Sequence, residues 1–239
     1  MLLVNFDASN QNELVTARVP QWSGYIVNLD LQNKSDGVSS ISASWIVPQI
    51  TYSVNDTYSS AWVGIGGYGE SSLIQAGTEQ HCENGKIEYF AWYELLPRTI
   101  IRISNLDIQP GDKVTTTITL VDDAADSWLI HVVDETEGRS FQKTVTYDST
   151  RKSAEWIVER PLVNGQISTL ANFNQATLTD CTATIKGETG SIKTFTYTPA
   201  VMVNDNDTEL VEVSPLSDDG LSFTVSYLKL NETIVTAAP

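Results

Sequence analysis

Residues 153–161 read SAEWIVERP. In an extended chain, successive side chains point to opposite faces. One face then carries Ser153, Glu155, Ile157, Glu159 and Pro161, and the other Ala154, Trp156 and Val158. Neither is the uniformly polar face that a strand turns to water. Residues 87–97, IEYFAWYELLP, repeat the pattern. Glu88, Phe90, Trp92, Glu94 and Leu96 share one side; Tyr89, Ala91, Tyr93 and Leu95 take the other. Strands apolar on both sides, with acids set into one, suit a sheet whose second face lines a groove.

The same grammar extends outward. GYIVNLDL, SISASWIVPQI, SAWVGIGG, DKVTTTITLVD, SWLIHVVDE, SFQKTVTY, QATLTDCTATIKG, KTFTYTPAVMVN and LSFTVSYLKL are rich in β-branched and aromatic residues and mostly alternate. Turn formers separate them: ENGK (83–86), QPGD (109–112), VNGQ (163–166) and SDDG (217–220). No stretch carries a helical period. The reading is all-β: one antiparallel sandwich or barrel over residues 19–239, preceded by an N-terminal arm over residues 1–18.

Composition narrows the function. Thirty acidic against 14 basic residues give a net charge of −16, which repels nucleic acid and anionic membranes, so neither is an expected partner. No apolar run reaches the ~18–20 residues of a membrane helix. The start, MLLVNFDASNQNE, shows no basic region and too short an apolar stretch for a secretory signal. With 14 bases, few carboxylates can be held by ion pairs, so little stability is lost when acids protonate; the chain is expected to tolerate acid. Cys82 and Cys181 fit either one disulfide or two free thiols. Sequons at Asn33, Asn55, Asn206 and Asn231 add weak support for an extracellular setting.

Histidine excludes much. His81 is read in a hairpin loop and His131 in a strand, neither with a partner at metal-ligand spacing. A Ser-His-Asp or Cys-His catalyst would need one of them, and no nucleophile elbow is present. GIGGYG (64–69) lacks the following helix of a dinucleotide loop and reads as a glycine-rich turn. Acids, amides and hydroxyls remain. Gln75, between Ile74 and Ala76 in SSLIQAGTEQ, needs partners for its amide in an apolar strand. They are either backbone groups or a reacting carbonyl.

Taken in order, QWSGYIV, SAWVGIGG, LIQAGTE, AWYELLP and SAEWIVERP resemble the eqolisin, or glutamic peptidase, family from Gln21 to at least Phe173. The resemblance implies a β-sandwich with one curved sheet whose concave face holds a substrate groove. It implies a secreted, pepstatin-insensitive endopeptidase acting on polypeptides at acid pH, with no cofactor and no metal, and expected to be monomeric. The family's catalytic Gln falls on Gln75 and its catalytic Glu on Glu155. Trp62 and Glu94 match groove-lining positions, Glu79 stands where an Asp is usual, and Trp92 joins the wall. Fungal relatives carry acids where this chain has Gly66 and Phe90, so the local pKa values are expected to differ.

The resemblance implies that Glu155 deprotonates a water while Gln75 donates to the oxyanion; a Glu with an unperturbed pKa of ~4.3 serves as base near pH 4 and still returns a proton. Glu159, ~13 Å along the strand from Glu155, is read as rim or solvent-facing. Two other readings remain: a sandwich glycoside hydrolase using Glu94 and Glu155, and a carbohydrate- or peptide-binding module without catalysis.

Overall fold

A computed structural model describes residues 15–229. In chain order its strands are β1 (Ala17–Val19), β2 (Trp22–Asn28), β3 (Val38–Ile46), β4 (Thr57–Gly66), β5 (Leu73–Glu83), β6 (Lys86–Leu95), β7 (Ile101–Arg102), β8 (Lys113–Asp122) and β9 (Ser127–Asp134). They continue with β10 (Arg139–Thr146), β11 (Ser153–Glu159), β12 (Leu162–Val163), β13 (Gln166–Ile167), β14 (Gln175–Ile185), β15 (Glu188–Ser191), β16 (Tyr197–Met202), β17 (Val211–Val213) and β18 (Phe223–Tyr227). Two single 3-10 turns are the helical content of the described residues.

The hairpins follow from their turn residues. Asn84 and Gly85, at φ 51° and 72°, close β5 onto β6, and Asn164 and Gly165, at 52° and 78°, close β12 onto β13. Two consecutive positive φ values are what a two-residue hairpin turn demands, and Asn-Gly supplies them with least strain. Eight strands build the first sheet, in the order β1-β16-β2-β11-β4-β5-β6-β7. The second runs β10-β9-β8-β3-β14-β18-β17, with β15 on β14. Pairing is antiparallel except where β1 lies parallel to β16. Ala17 and Arg18, read from the sequence as the end of an arm, are thus strand residues. Residues 1–14 of that arm, and the sequon at Asn231, lie outside the described residues.

The two sheets face each other across one core. Val63, Ala154, Trp156 and Val158 from the first meet Ile41, Trp45, Ile118 and Ile130 from the second. Indoles in that core keep their polar atoms bonded: Trp156 Nε1 donates to the Ser42 carbonyl at 3.0 Å, and Trp45 Nε1 to Thr78 Oγ1 at 2.9 Å. Cys82 and Cys181 are free, buried thiols within it. With the inner face filled, the alternate residues of β2, β11, β4, β5 and β6 must point away from the core. They carry a second, smaller apolar cluster that includes Ile26, Trp62, Leu73, Trp92 and Ile157.

Candidate active site

Strand register arranges that outer face as a grid. In one row, Ile26, Glu155, Gly64, Gln75 and Glu94 are direct neighbours across β2, β11, β4, β5 and β6. The next row is Gly24, Ile157, Trp62, Gly77 and Trp92, and the one after it Trp22, Glu159, Ser60, Glu79 and Phe90. All six residues picked out from the sequence (Gln75, Glu155, Trp62, Glu94, Glu79 and Trp92) therefore share one face. Tyr93 alternates away from them and is core.

Glu155 and Gln75 stand in the same row with Gly64 between them, their backbones two strand spacings apart, about 9.5 Å. Gly64 puts no side chain in the gap; a Cβ there would come within 2.8 Å of both Leu73 and Trp62. Gly77 is needed for a similar reason, since its Cβ would lie 2.1 Å from the Ala61 carbonyl and 2.6 Å from Trp62 Cβ. The glycines let Trp62 lie down on the sheet between the rows.

Gln75 is buried, and its Nε2 donates to Glu94 Oε2 at 2.6 Å. Its partner is thus a carboxylate from the neighbouring strand, not backbone. One hydrogen of the amide is committed to Glu94 and the second is free. Its Oε1 is buried and unpartnered. Glu155 is 0% exposed, and neither carboxylate oxygen has a hydrogen-bond partner. Burial pushes its pKa well above the usual carboxylate range, and Glu70 adds to the rise. The Ser153 hydroxyl and the Tyr68 backbone, facing the group, oppose it only in part. Glu94 is raised too, first by burial, against the lowering effect of Gln75.

Glu159 overturns its sequence reading. It is half-buried and bonded rather than solvent-facing: Trp62 Nε1 donates to its Oε2 at 2.7 Å and Trp22 Nε1 to its Oε1 at 3.2 Å. The two indoles meet edge to face, 5.2 Å between centroids. Burial lifts the Glu159 pKa to about 7 despite these donors. His81 also departs from expectation. It lies in β5, not in the hairpin, and its Nδ1 is 2.9 Å from Glu79 Oε1. Burial pulls its pKa down, but Glu79, Glu83 and Glu88 outweigh that and leave it raised. Alternation along LIQAGTEQH put His81 on the face of Gln75 and Glu79, a signal masked by the nearby Asn-Gly turn.

The grid bears on the competing carboxylate-pair reading. Glu155 and Glu94 are three strand spacings apart, about 14 Å, with Gln75 bonded in between. Glycosidase pairs stand ~5–9.5 Å apart.

Comparison with known proteins gives the family and the fold. The Peptidase A4 family profile matches residues 20–227. The chain belongs to the Peptidase A4 family. It is a hydrolase that acts as a peptidase. Among solved structures, aspergilloglutamic peptidase from Aspergillus niger is 31% identical, with a TM-score of 0.62, over 72% of this chain and 99% of that one. Scytalido-glutamic peptidase bound to a transition-state analogue inhibitor superposes with a TM-score of 0.74 at 22% identity, over 87% and 98% of the two chains. SCP-B, an eqolisin-family peptidase in complex with the tripeptide Ala-Ile-His, gives 0.68 at 23% identity, over the same shares of 87% and 98%. No curated protein sequence matches at a comparable level of significance. This Peptidase A4 member is a β-sandwich that carries Gln75, Glu155 and Glu94 in one row on the outer face of its first sheet.

Proposed function

We propose that this peptidase cleaves polypeptides internally at acid pH with Glu155 and Gln75 as its catalytic pair. The supporting observation is their shared row, with a glycine between them and both side chains buried on the face away from the core. A water held between them loses a proton to the Glu155 carboxylate and attacks the scissile carbonyl. The free N–H of Gln75 donates to the tetrahedral oxyanion, while the bond to Glu94 holds the amide in place. Glu155 then passes its proton to the leaving amine. In its enclosed state Glu155 holds that proton to higher pH than an ordinary carboxyl. The base form thus becomes available as water and peptide enter.

Substrate in this reading is an extended polypeptide laid along the groove, with Trp62, Trp92 and Glu79 as contacts. Secretion and insensitivity to pepstatin belong to the same proposal. The test is digestion of denatured casein from pH 2 to 7 with pepstatin and EDTA present. Gln75→Ala is expected to lower kcat by about 10²–10³-fold, and Glu155→Gln to abolish measurable cleavage. Full acid proteolysis by both variants would overturn the assignment.

A further inference from the structure

Glu155 is sealed: it is 0% exposed and both of its oxygens are buried. A peptide bond has to reach this carboxyl, so part of its enclosure must move. Sheet neighbours Ile26 and Gly64 are fixed by register on either side. Among the described residues, the connection from β4 to β5, residues 67–72, forms another wall through Tyr68 and Glu70. Tyr68 packs against the apolar cluster of the groove face, and its backbone faces the Glu155 carboxyl. Its hydroxyl is buried without a partner. Gly67 rests on Leu73, 3.1 Å from where its Cβ would be, and Leu73 in turn reaches within 2.8 Å of the Cβ position of Gly64, over the gap between Glu155 and Gln75.

The connection is pinned at one end only. Thr150 donates through its hydroxyl to Glu70 and through its N–H to Ser72 Oγ at 3.2 Å. The Leu73 N–H donates to the Tyr147 hydroxyl at 2.7 Å. Residues 67–69 have no side-chain anchor of this kind; the Gly67 carbonyl accepts from the Glu70 N–H at 3.5 Å, within the loop. Gly66, Gly67 and Gly69, at φ of +86°, +103° and +73°, flank Tyr68 with backbone that turns freely where other residues are strained. A Cβ at Gly69 would meet nothing within 4 Å.

We infer that residues 67–69 form a moving cover over Glu155, and that Tyr68 is the positioning residue that keeps the carboxyl from water until a peptide lifts the loop. This rests on the assignment of Glu155 as the catalytic base. Lifting the ring admits water and lowers the cost of ionising Glu155. The other groups facing that carboxyl are Glu70 on the loop, Ser153 on its own strand, and, across Gly64, Gln75 with Glu94 behind it. They keep their places when Tyr68 is shortened.

The test uses the full chain with Tyr68→Ala and Tyr68→Phe. Glu155 is labelled with a water-soluble carbodiimide and an amine at pH 5 and followed by peptide mapping. The pH profile of kcat/KM is recorded alongside. Tyr68→Ala is expected to label Glu155 at least about tenfold faster and to move the acid limb of the profile down by about one pH unit, the size of shift that local desolvation produces. Tyr68→Phe, which keeps the ring and loses only an unpartnered hydroxyl, is expected to match the wild type in both. Labelling at the wild-type rate with an unmoved limb in Tyr68→Ala, or a Phe variant as altered as the Ala variant, overturns the inference. If the Ala variant does not fold, Tyr68→Leu carries the same two readings. Should Glu155→Gln retain activity, the catalytic pair is wrong, while the labelling result still decides whether Tyr68 is a cover.

Discussion

The outer faces of the two sheets answer water in opposite ways. On the first, carboxyls are set among apolar and indole groups: Glu159 bonded to Trp22 and Trp62, and Glu155 fully buried. On the second, the central strands β3, β8 and β14 turn out hydroxyls. Ser40, Ser42 and Ser44 pair with Thr119, Thr117 and Thr115 at 2.9, 2.9 and 2.7 Å, and Thr177 pairs with Thr224 at 2.9 Å. These hydroxyls do not titrate in the working range; the titratable neighbours on this face are Glu135, which accepts from Thr115, and His131, opposite Thr117. The carboxyls whose pKa burial raises, Glu155, Glu159 and Glu94, all lie on the first sheet. There the sign is unusual. A carboxyl whose folded pKa is raised binds its proton more tightly folded than unfolded. Its contribution is best below the ordinary carboxylate range, and stability falls as pH rises from that range toward the raised folded value. The His81–Glu79 pair leans the same way. With a raised imidazole pKa, its support is complete below the ordinary value of 6.5 and is lost as pH rises through the folded one. Acid tolerance, expected from the scarcity of bases, acquires a structural reason: the groove itself is most stable when protonated.

Glu155→Gln tests this contrast most severely. It is expected to cost about 10⁴-fold in rate, the upper end for a general acid–base group, while raising the melting temperature at pH 7 more than at pH 4. An equal gain at both pH values would remove the titrating face from the account of stability. Glu159→Gln comes next. Between the ordinary carboxylate range and about 7, it should flatten the fall of unfolding free energy with pH by up to ~1.4 kcal/mol per pH unit, one proton's worth. Denaturant titrations at half-unit intervals would show it; an unchanged slope means that Glu159 titrates normally. The smallest effect belongs to the hydroxyl face. Ser42→Ala with Thr117→Val deletes both members of one pair. It should change stability by no more than ~1 kcal/mol, by the same amount at pH 4 and pH 7, and leave the pH profile of cleavage untouched. Any pH-dependent difference there would break the division between the faces.

Local signals made the strands readable. Alternation in SAEWIVERP and IEYFAWYELLP assigned core and groove faces correctly, down to Tyr93, and Asn84-Gly85 announced its hairpin. Motif order brought Gln75 and Glu155 into one hypothesis, and strand register seated them side by side. What the sequence hid was depth. Glu159 was read as exposed because its indole partners come from 97 and 137 residues away in the chain. His81 was read by proximity to a turn, although β5 runs on to Glu83. GIGGYG was read as a turn, and Tyr68 and Gly69 do lie in one, but nothing in the motif says what that turn packs against. Periodicity reports which way a side chain points; it is silent about what another segment lays on top.

The two thiols carry a practical consequence. Cys82 and Cys181 are unlinked and sealed in the core, and burial pushes the Cys181 pKa up, which keeps that sulfur in its unreactive thiol form. Maturation of the described domain therefore does not wait on an oxidant. The chain can reach its native state in a reducing cytosol as readily as in an oxidising one, and reductants added during purification leave it intact.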